Sequence, residues 1–406
     1  MSVKLSERLT RLRPSPSMAA IDEIARLRRE GHEILSLTVG EPDFPTPPHV
    51  IEAAVKALHD GETRYTSAAG IPALKRAICD TFRKGGLTYS EGEIALGAGA
   101  KQLIFSAFAA TLDAGDEVVV PAPYWVSYPD IVDLFDARPV IVRCPAAAGF
   151  RLTPAALEAA LTDRTRWLVI NSPNNPTGVV YSAEELSAFG AVLARYPKCL
   201  VMSDEIYEHF VYDGHQFTSF AVANPELEDR VLTINGVSKA YAMTGFRLGY
   251  AGGPAWLAAA IRNLITQDTS CANSISQHAA VAALTGDQSS LAINRAQYEG
   301  RRDRLISGIG AVPGMRCLAP EGAFYVYASV AGLIGARTPA GETLQTDSDV
   351  ASYFLREAKV ATIAGPAYGL SPYLRLSFAT TVEVIDRACA AIAAAAADLD
   401  GIAEGT

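Results

Sequence analysis

The residues whose types and spacing could do chemistry concentrate in residues 235–250, Asn-Gly-Val-Ser-Lys-Ala-Tyr-Ala-Met-Thr-Gly-Phe-Arg-Leu-Gly-Tyr. One lysine, Lys239, and one arginine, Arg247, stand there between two apolar runs, Val231-Leu-Thr-Ile234 and Leu248-Gly-Tyr-Ala251, that read as buried strands. A lysine held between core strands gives up its proton readily, and the neutral amine acts as a base or forms an imine. Asp204, in Ser203-Asp-Glu-Ile-Tyr207, closes a further apolar run, Leu200-Val-Met202. A carboxylate at the end of a buried strand needs a partner, because desolvation without one is costly. Arg375, in Tyr373-Leu-Arg-Leu-Ser-Phe378, falls on the face opposite Leu374 and Leu376. A guanidinium on a half-buried strand suits a planar anion such as a carboxylate, gripped by two hydrogen bonds.

Gly97-Ala-Gly-Ala-Lys-Gln102 follows a predicted strand and opens an apolar helix from Leu103. Such a turn points backbone N–H groups and a positive helix end at a phosphate. A dinucleotide fingerprint would need a third glycine where Gln102 stands, so a short cofactor phosphate on Gly99 and Ala100 fits better. Glu205 and His209 lie one helical turn apart, but no other His or Cys is near in sequence, and no metal site is assigned. The six cysteines form no Cys-x-x-Cys pair, which excludes zinc-ribbon and thioredoxin chemistry and points to free thiols.

Together these groups resemble the pyridoxal-phosphate attachment site of class I aminotransferases. Gly236, Val237, Ser238, Lys239, Ala242, Met243, Gly245 and Arg247 fill that pattern. The likeness extends to Asn171-Ser-Pro-Asn-Asn-Pro-Thr-Gly178 and to the proline-rich loop Val39-Gly-Glu-Pro-Asp-Phe-Pro-Thr-Pro-Pro48, and covers about residues 15–395. It implies pyridoxal 5′-phosphate held by Lys239 as an imine, with Arg247, Gly99 and Ala100 at the phosphate and Lys101 and Ser238 among the cofactor contacts. Asp204 would hold the proton on the ring nitrogen, Asn175 and Tyr207 would meet the ring oxygen, and Trp125 would stack on the ring. Lys239, Asp204 and Tyr207 form the expected catalytic set. Tyr65 would reach the phosphate of a partner subunit, which implies a homodimer.

For the substrate, the same resemblance places the α-carboxylate on Arg375 and close to the backbone of Gly40, with Thr38, Asn175 and Trp125 around it. Lys101, in its Gly-x-Lys-Gln setting, matches the branch of aspartate aminotransferases that includes rhizobial enzymes, where a lysine meets the distal carboxylate. The implied reaction is ping-pong transamination of L-aspartate with 2-oxoglutarate, giving oxaloacetate and L-glutamate. The alternatives are a prephenate, aromatic or broad-range aminotransferase, or a lyase or oxidase on the same fold. The chain departs from the family pattern at Ala364-Gly-Pro366 and Cys271-Ala-Asn273, two places expected to border the substrate pocket.

The elements that must position these groups are legible as alternation. Strands are expected near residues 94–96, 117–120, 140–143, 167–170, 200–202 and 231–234, with helices between them. That is an α/β pattern, a mostly parallel sheet flanked by helices, and the resemblance makes it the aminotransferase fold type I. Lys101, Asn175, Asp204 and Lys239 each come just after a predicted strand, where sites in such sheets lie. Shorter strands at 315–318, 322–327, 360–363 and 374–378, with helices at 291–308 and 348–357, predict a smaller α+β part built from both chain ends. The expected division is an arm and part of the small domain at 1–45, a large cofactor-binding domain at 46–290 and a small domain at 291–406.

The chain has 406 residues, is 49% hydrophobic and 19% charged, and carries a formal net charge of −9. Such a composition supports a large core, and an acidic chain without a basic stripe excludes a nucleic-acid partner. A DNA-reading regulator on this fold would need a module ahead of it, and the fold signature already begins by residue 40. The first 13 residues lack an apolar segment and no run is long enough to cross a bilayer, so no membrane role and a cytoplasmic location are expected.

Overall fold

The structure, a computed structural model, describes residues 4–11 and 16–403. Of the arm expected at the start of the chain, Glu7–Arg11 is a short helix, and residues 1–3 and 12–15 lie outside the described residues. The chain then builds one large sheet, one small sheet and the helices that cover them.

The large sheet has seven strands in the order Ile94–Gly97, Gly249–Gly252, Val231–Gly236, Leu200–Asp204, Thr165–Asn171, Glu117–Ala122, Arg138–Arg143. Only Gly249–Gly252 runs antiparallel to its neighbours; the other pairings are parallel. The central strands are buried on both faces, which is why they read as unbroken Val, Ile and Leu runs. Successive side chains enter two different cores. Val119, Leu168, Ile170 and Val201 join one, and Val118, Trp167, Val169, Leu200 and Met202 the other. Each such side chain contributes roughly 1.5–3 kcal/mol by leaving water.

A third core surrounds a four-stranded antiparallel sheet ordered Ile363–Ala364, Tyr373–Ser377, Tyr325–Ser329, Arg316–Cys317. The helices Ser289–Gly310 and Val382–Ala397 pack together on it. Leu35 and Leu37, from near the chain start, belong to the same core. The expected single strand over 360–363 is instead two pieces. Val360–Ala361 runs parallel to Leu35–Ser36, whereas Ile363–Ala364 pairs with Tyr373–Ser377. The backbone passes from one sheet to the next at Thr362, so no continuous ladder can form. The helix expected at 348–357 is α-helical over Asp347–Tyr353 and then widens to a π turn over Phe354–Ala358. Among the described residues no helix is long and apolar enough to cross a membrane, and all six cysteines are free thiols.

Candidate active site

The sheet topology collects the chemically competent residues at one edge. Asn171 and Asp204 are the last residues of their strands. Lys239 lies in the four-residue helix Val237–Ala240 that follows Val231–Gly236. Trp125 follows Glu117–Ala122. Lys101 follows Ile94–Gly97, but in the first turn of the helix Ala100–Thr111 and not in a loop, because the helix starts earlier than its first apolar residue, Leu103. These ends open on a cleft of about 810 Å³. Its walls include Thr38, Gly40, Ala100, Lys101, Trp125, Asn175, Asp204, Tyr207, Ser238, Lys239, Arg247 and Arg375.

The turn before Lys101 is a cradle that only glycines permit. Gly99 has φ +83°, and a Cβ there would come within 2.7 Å of Arg247 Nη2. A Cβ on Gly249 would strike the backbone nitrogen of Ala100 at 2.3 Å. The antiparallel strand therefore lies directly beneath the helix N-terminus, where unpaired N–H groups and the helix dipole favour an anion. Arg247 is fixed beside it, donating from Nη1 to the Thr244 carbonyl at 2.9 Å and from Nη2 to the Ala98 carbonyl at 3.1 Å.

Lys239 Nζ donates to the Gly40 carbonyl at 2.5 Å. Withdrawal from solvent pulls its pKa down to about 8, with Arg375 and Arg247 acting in the same direction and Glu41 and Asp204 opposing them. Asp204 is 5% exposed. Its Oδ2 accepts from Tyr128 Oη at 2.5 Å and its Oδ1 from the Ile206 amide at 3.4 Å. Burial raises its pKa despite these bonds and the nearby Lys239. A buried carboxyl of this kind is matched by a cationic or proton-bearing heterocycle. Tyr207 Oη shares a hydrogen bond of 3.0 Å with Tyr325 Oη, and burial holds the Tyr207 hydroxyl protonated far above the usual range.

Arg375 is 4% exposed and held from three sides. Nη2 donates to the Thr38 carbonyl at 2.6 Å, Nη1 donates to Asn175 Oδ1 at 3.2 Å, and the guanidinium lies 4.4 Å from the Tyr325 ring centroid. Its Nε is buried without a protein partner. Lys101 Nζ sits 4.8 Å from the Trp125 ring centroid and has no carboxylate partner among the described residues. Partial burial, with Arg247 nearby, keeps its pKa below the usual lysine value.

Tyr65 is not in the cleft; it is 86% exposed. Neither Ala364-Gly-Pro366 nor Cys271-Ala-Asn273 is on the cleft wall. Asn273 lines a separate shallow depression with Phe246 and Ser276. Glu205 and His209 diverge: Glu205 accepts from Ser203 and Ser219, whereas His209 faces Glu208. Sequence reasoning missed Tyr128, Tyr325, Glu41, Ser36 and Arg28, all but the first of which line the cleft. Tyr325 had a usable signal, its alternation with Val326 in a predicted strand. Tyr128 had none, lying 76 positions from the carboxylate it binds.

The family model for aminotransferase class I and II matches residues 32–392. The chain belongs to that family. It is 49% identical over 91% of its length to the aspartate aminotransferase of Rhizobium meliloti, also covering 91% of that protein. It is 48% identical to the aspartate/prephenate aminotransferase of Cereibacter sphaeroides, covering 97% of this chain and 99% of the relative. Among solved structures, an aspartate aminotransferase from Rhizobium meliloti superposes with a TM-score of 0.96 at 46% identity, over 98% of this chain and 100% of that one. The Thermus thermophilus aspartate aminotransferase with maleate gives 0.90 at 37% identity, over 97% and 100%. The chain is thus an aminotransferase of fold type I, with pyridoxal 5′-phosphate as its cofactor. The donor set fits that group: a backbone cradle beside an arginine, a buried carboxyl, and a lysine whose proton is weakly held.

Proposed function

We propose that this aminotransferase moves an amino group between L-aspartate and 2-oxoglutarate, producing oxaloacetate and L-glutamate in two successive half-reactions. The observation that carries this reading is the cleft itself, where Lys239 is flanked by an arginine with an unmet donor, Arg375, and by an unpaired lysine, Lys101. Two cations in one cleft suit a substrate with two carboxylates. The Rhizobium and Thermus relatives bear the name aspartate aminotransferase, and the Thermus enzyme was solved with the dicarboxylate maleate.

Arg247, Gly99 and Ala100 would hold the cofactor phosphate, with Ser238 alongside; Asp204 would keep the ring nitrogen protonated, Asn175 and Tyr207 would serve the ring oxygen, and Trp125 would serve the ring. When bound, pyridoxal phosphate supplies an aldehyde for the amino group and an electron-poor ring that makes the α-proton acidic. Arg375 and the Gly40 backbone fix the α-carboxylate, and Lys101 fixes the distal one. Thr38 holds Arg375 in place through its carbonyl.

Lys239 then carries the α-proton. It must be neutral to accept one, and a pKa of about 8 in place of 10.5 allows this. At pH 7.5 that value leaves about a quarter of the amines neutral, against roughly one in a thousand for an ordinary lysine.

Tyr65, with the exposed stripe Ile51, Val55 and Leu58 on the helix Pro48–His59, supports a homodimer in which the tyrosine completes the partner's phosphate site. The division of the chain is an arm and part of the small domain at 1–45, a cofactor-binding domain at 46–290 and the rest of the small domain at 291–406, in a cytoplasmic enzyme. A second reading, prephenate as an additional amino acceptor, is favoured by the Cereibacter relative's name. Purified Lys239→Ala protein should lose both turnover of L-aspartate with 2-oxoglutarate and the cofactor's visible band. Retained turnover overturns the proposal.

A further inference from the structure

The proline-rich loop does more than bring Gly40 to the cleft. It is stitched at two points to the segment that carries Lys239 and Arg247. Glu41 Oε2 accepts from Thr244 Oγ1 at 2.8 Å, and Thr46 Oγ1 donates to the Ala242 carbonyl at 2.7 Å. Between these stitches Asp43 accepts from Arg301 Nη1 at 2.7 Å, and the Phe44 ring lies 4.7 Å from the same guanidinium. Arg301 belongs to the long helix Ser289–Gly310, so the loop is tied to two separate segments of the chain. The lysine nitrogen bonds the carbonyl of Gly40, the residue immediately before Glu41.

We infer that Glu41 is a positioning residue of this enzyme: aimed by Thr244, its carboxylate sets how tightly the Lys239 nitrogen holds a proton. The inference rests on the assignment of Lys239 as the cofactor lysine. The charges that face Lys239 divide evenly. Arg375 and Arg247 disfavour its proton; Asp204 and Glu41 favour it, Glu41 more than any other charged group. Lys101 adds to the cationic side of the cleft, while Tyr207 and Tyr325 stay protonated and contribute no charge.

The balance changes when the site fills. The cofactor phosphate is matched to Arg247 and the substrate carboxylate to Arg375, so both cations are neutralised by ligands. Asp204 is matched to the ring nitrogen in the same way. Glu41 has no such ligand and remains the uncompensated charge of this set, which makes the lysine a stronger base once substrate is seated.

The test is a pH titration of the visible absorbance of the holoenzyme, which reports protonation at the Lys239 nitrogen. Glu41→Gln keeps the hydrogen-bond acceptor for Thr244 and removes the charge. Its titration midpoint should fall by roughly half a unit or more, the effect of removing one neighbouring charge in high dielectric. Glu41→Asp keeps the charge and should return the midpoint most of the way to the parent value. Thr244→Val removes the aiming donor and should shift the midpoint in the same direction as Glu41→Gln, by less. An unmoved midpoint in Glu41→Gln, or an aspartate variant displaced as far as the glutamine one, overturns the inference. Glu41 is exposed and Thr244 only partly buried, so these variants should fold. If no visible band forms in the parent protein, it is the assignment of Lys239 that fails.

Discussion

Replacing Arg375 by lysine isolates geometry from charge. Two of its donors are already committed, to the Thr38 carbonyl and to Asn175 Oδ1, and the plane is fixed by Tyr325 beneath it. A lysine keeps the positive charge but has no planar fork, so the substrate α-carboxylate loses at least one charge-assisted hydrogen bond. Such a bond is worth about 1.5–3 kcal/mol, or roughly 10- to 150-fold in kcat/KM. The carboxylate is gripped in ground state and transition state alike, so the loss should fall mainly on KM. Steady-state kinetics with L-aspartate and with L-glutamate provide the assay, because both share the α-carboxylate and both should suffer equally. A loss under threefold, or one confined to a single substrate, would refute the assignment of Arg375 to that group.

Lys101→Ala should lower kcat/KM for L-aspartate about tenfold or more, while a monocarboxylate donor such as L-alanine changes by less than threefold; equal losses on both would remove Lys101 from the distal site. Gly249→Ala would push a methyl group into the Ala100 nitrogen, so cofactor retention on dialysis should fall sharply even though Gly249 meets no ligand itself. Glu205 is buried against Ser203, Ser219 and the Phe220 amide, and burial raises its pKa from 4.5 to about 8. Between those values the folded state keeps a proton that the unfolded chain has released, so stability should decline as pH rises through that window, by an amount of the order of a few kcal/mol. Thermal melting at pH 6 and pH 8.5 should show Glu205→Gln losing less stability than the parent protein; identical slopes would count against a protonated Glu205.

Much of this site could be read from the chain because its residues sit just beyond strands, and strands buried on both faces announce themselves as apolar runs. Asp204 and Lys239 are legible in that way, Asn175 through the likeness of its loop to the family's, and the structure brings all three to one cleft. What stayed hidden depends on contacts between distant segments. The Tyr128 bond to Asp204 and the Glu41 bond to Thr244 leave no local trace, since neither partner changes the periodicity around it. Boundaries failed where apolarity outlasts pairing. The run 360–363 is apolar throughout, yet its two halves serve different sheets. Lys101 reads as a loop residue because three small residues precede it, whereas the helix dipole at that cradle requires the helix to start by Ala100. Tyr65 carries a signal only in relation to a second subunit, and in one chain it is a side chain in water.

The hydrogen bond from Arg375 to the Thr38 carbonyl joins positions 337 residues apart. Everything assigned to the cofactor within one subunit is encoded between Gly99 and Arg247, well before the carboxylate grip is synthesised. The hold on the α-carboxylate therefore exists only once the very end of the polypeptide has been made and closes back on residues made at the outset. A clipped chain ending before Tyr373–Ser377 would lack Arg375, and with it the assigned hold on the substrate α-carboxylate, even though Lys101 for the distal carboxylate is already encoded.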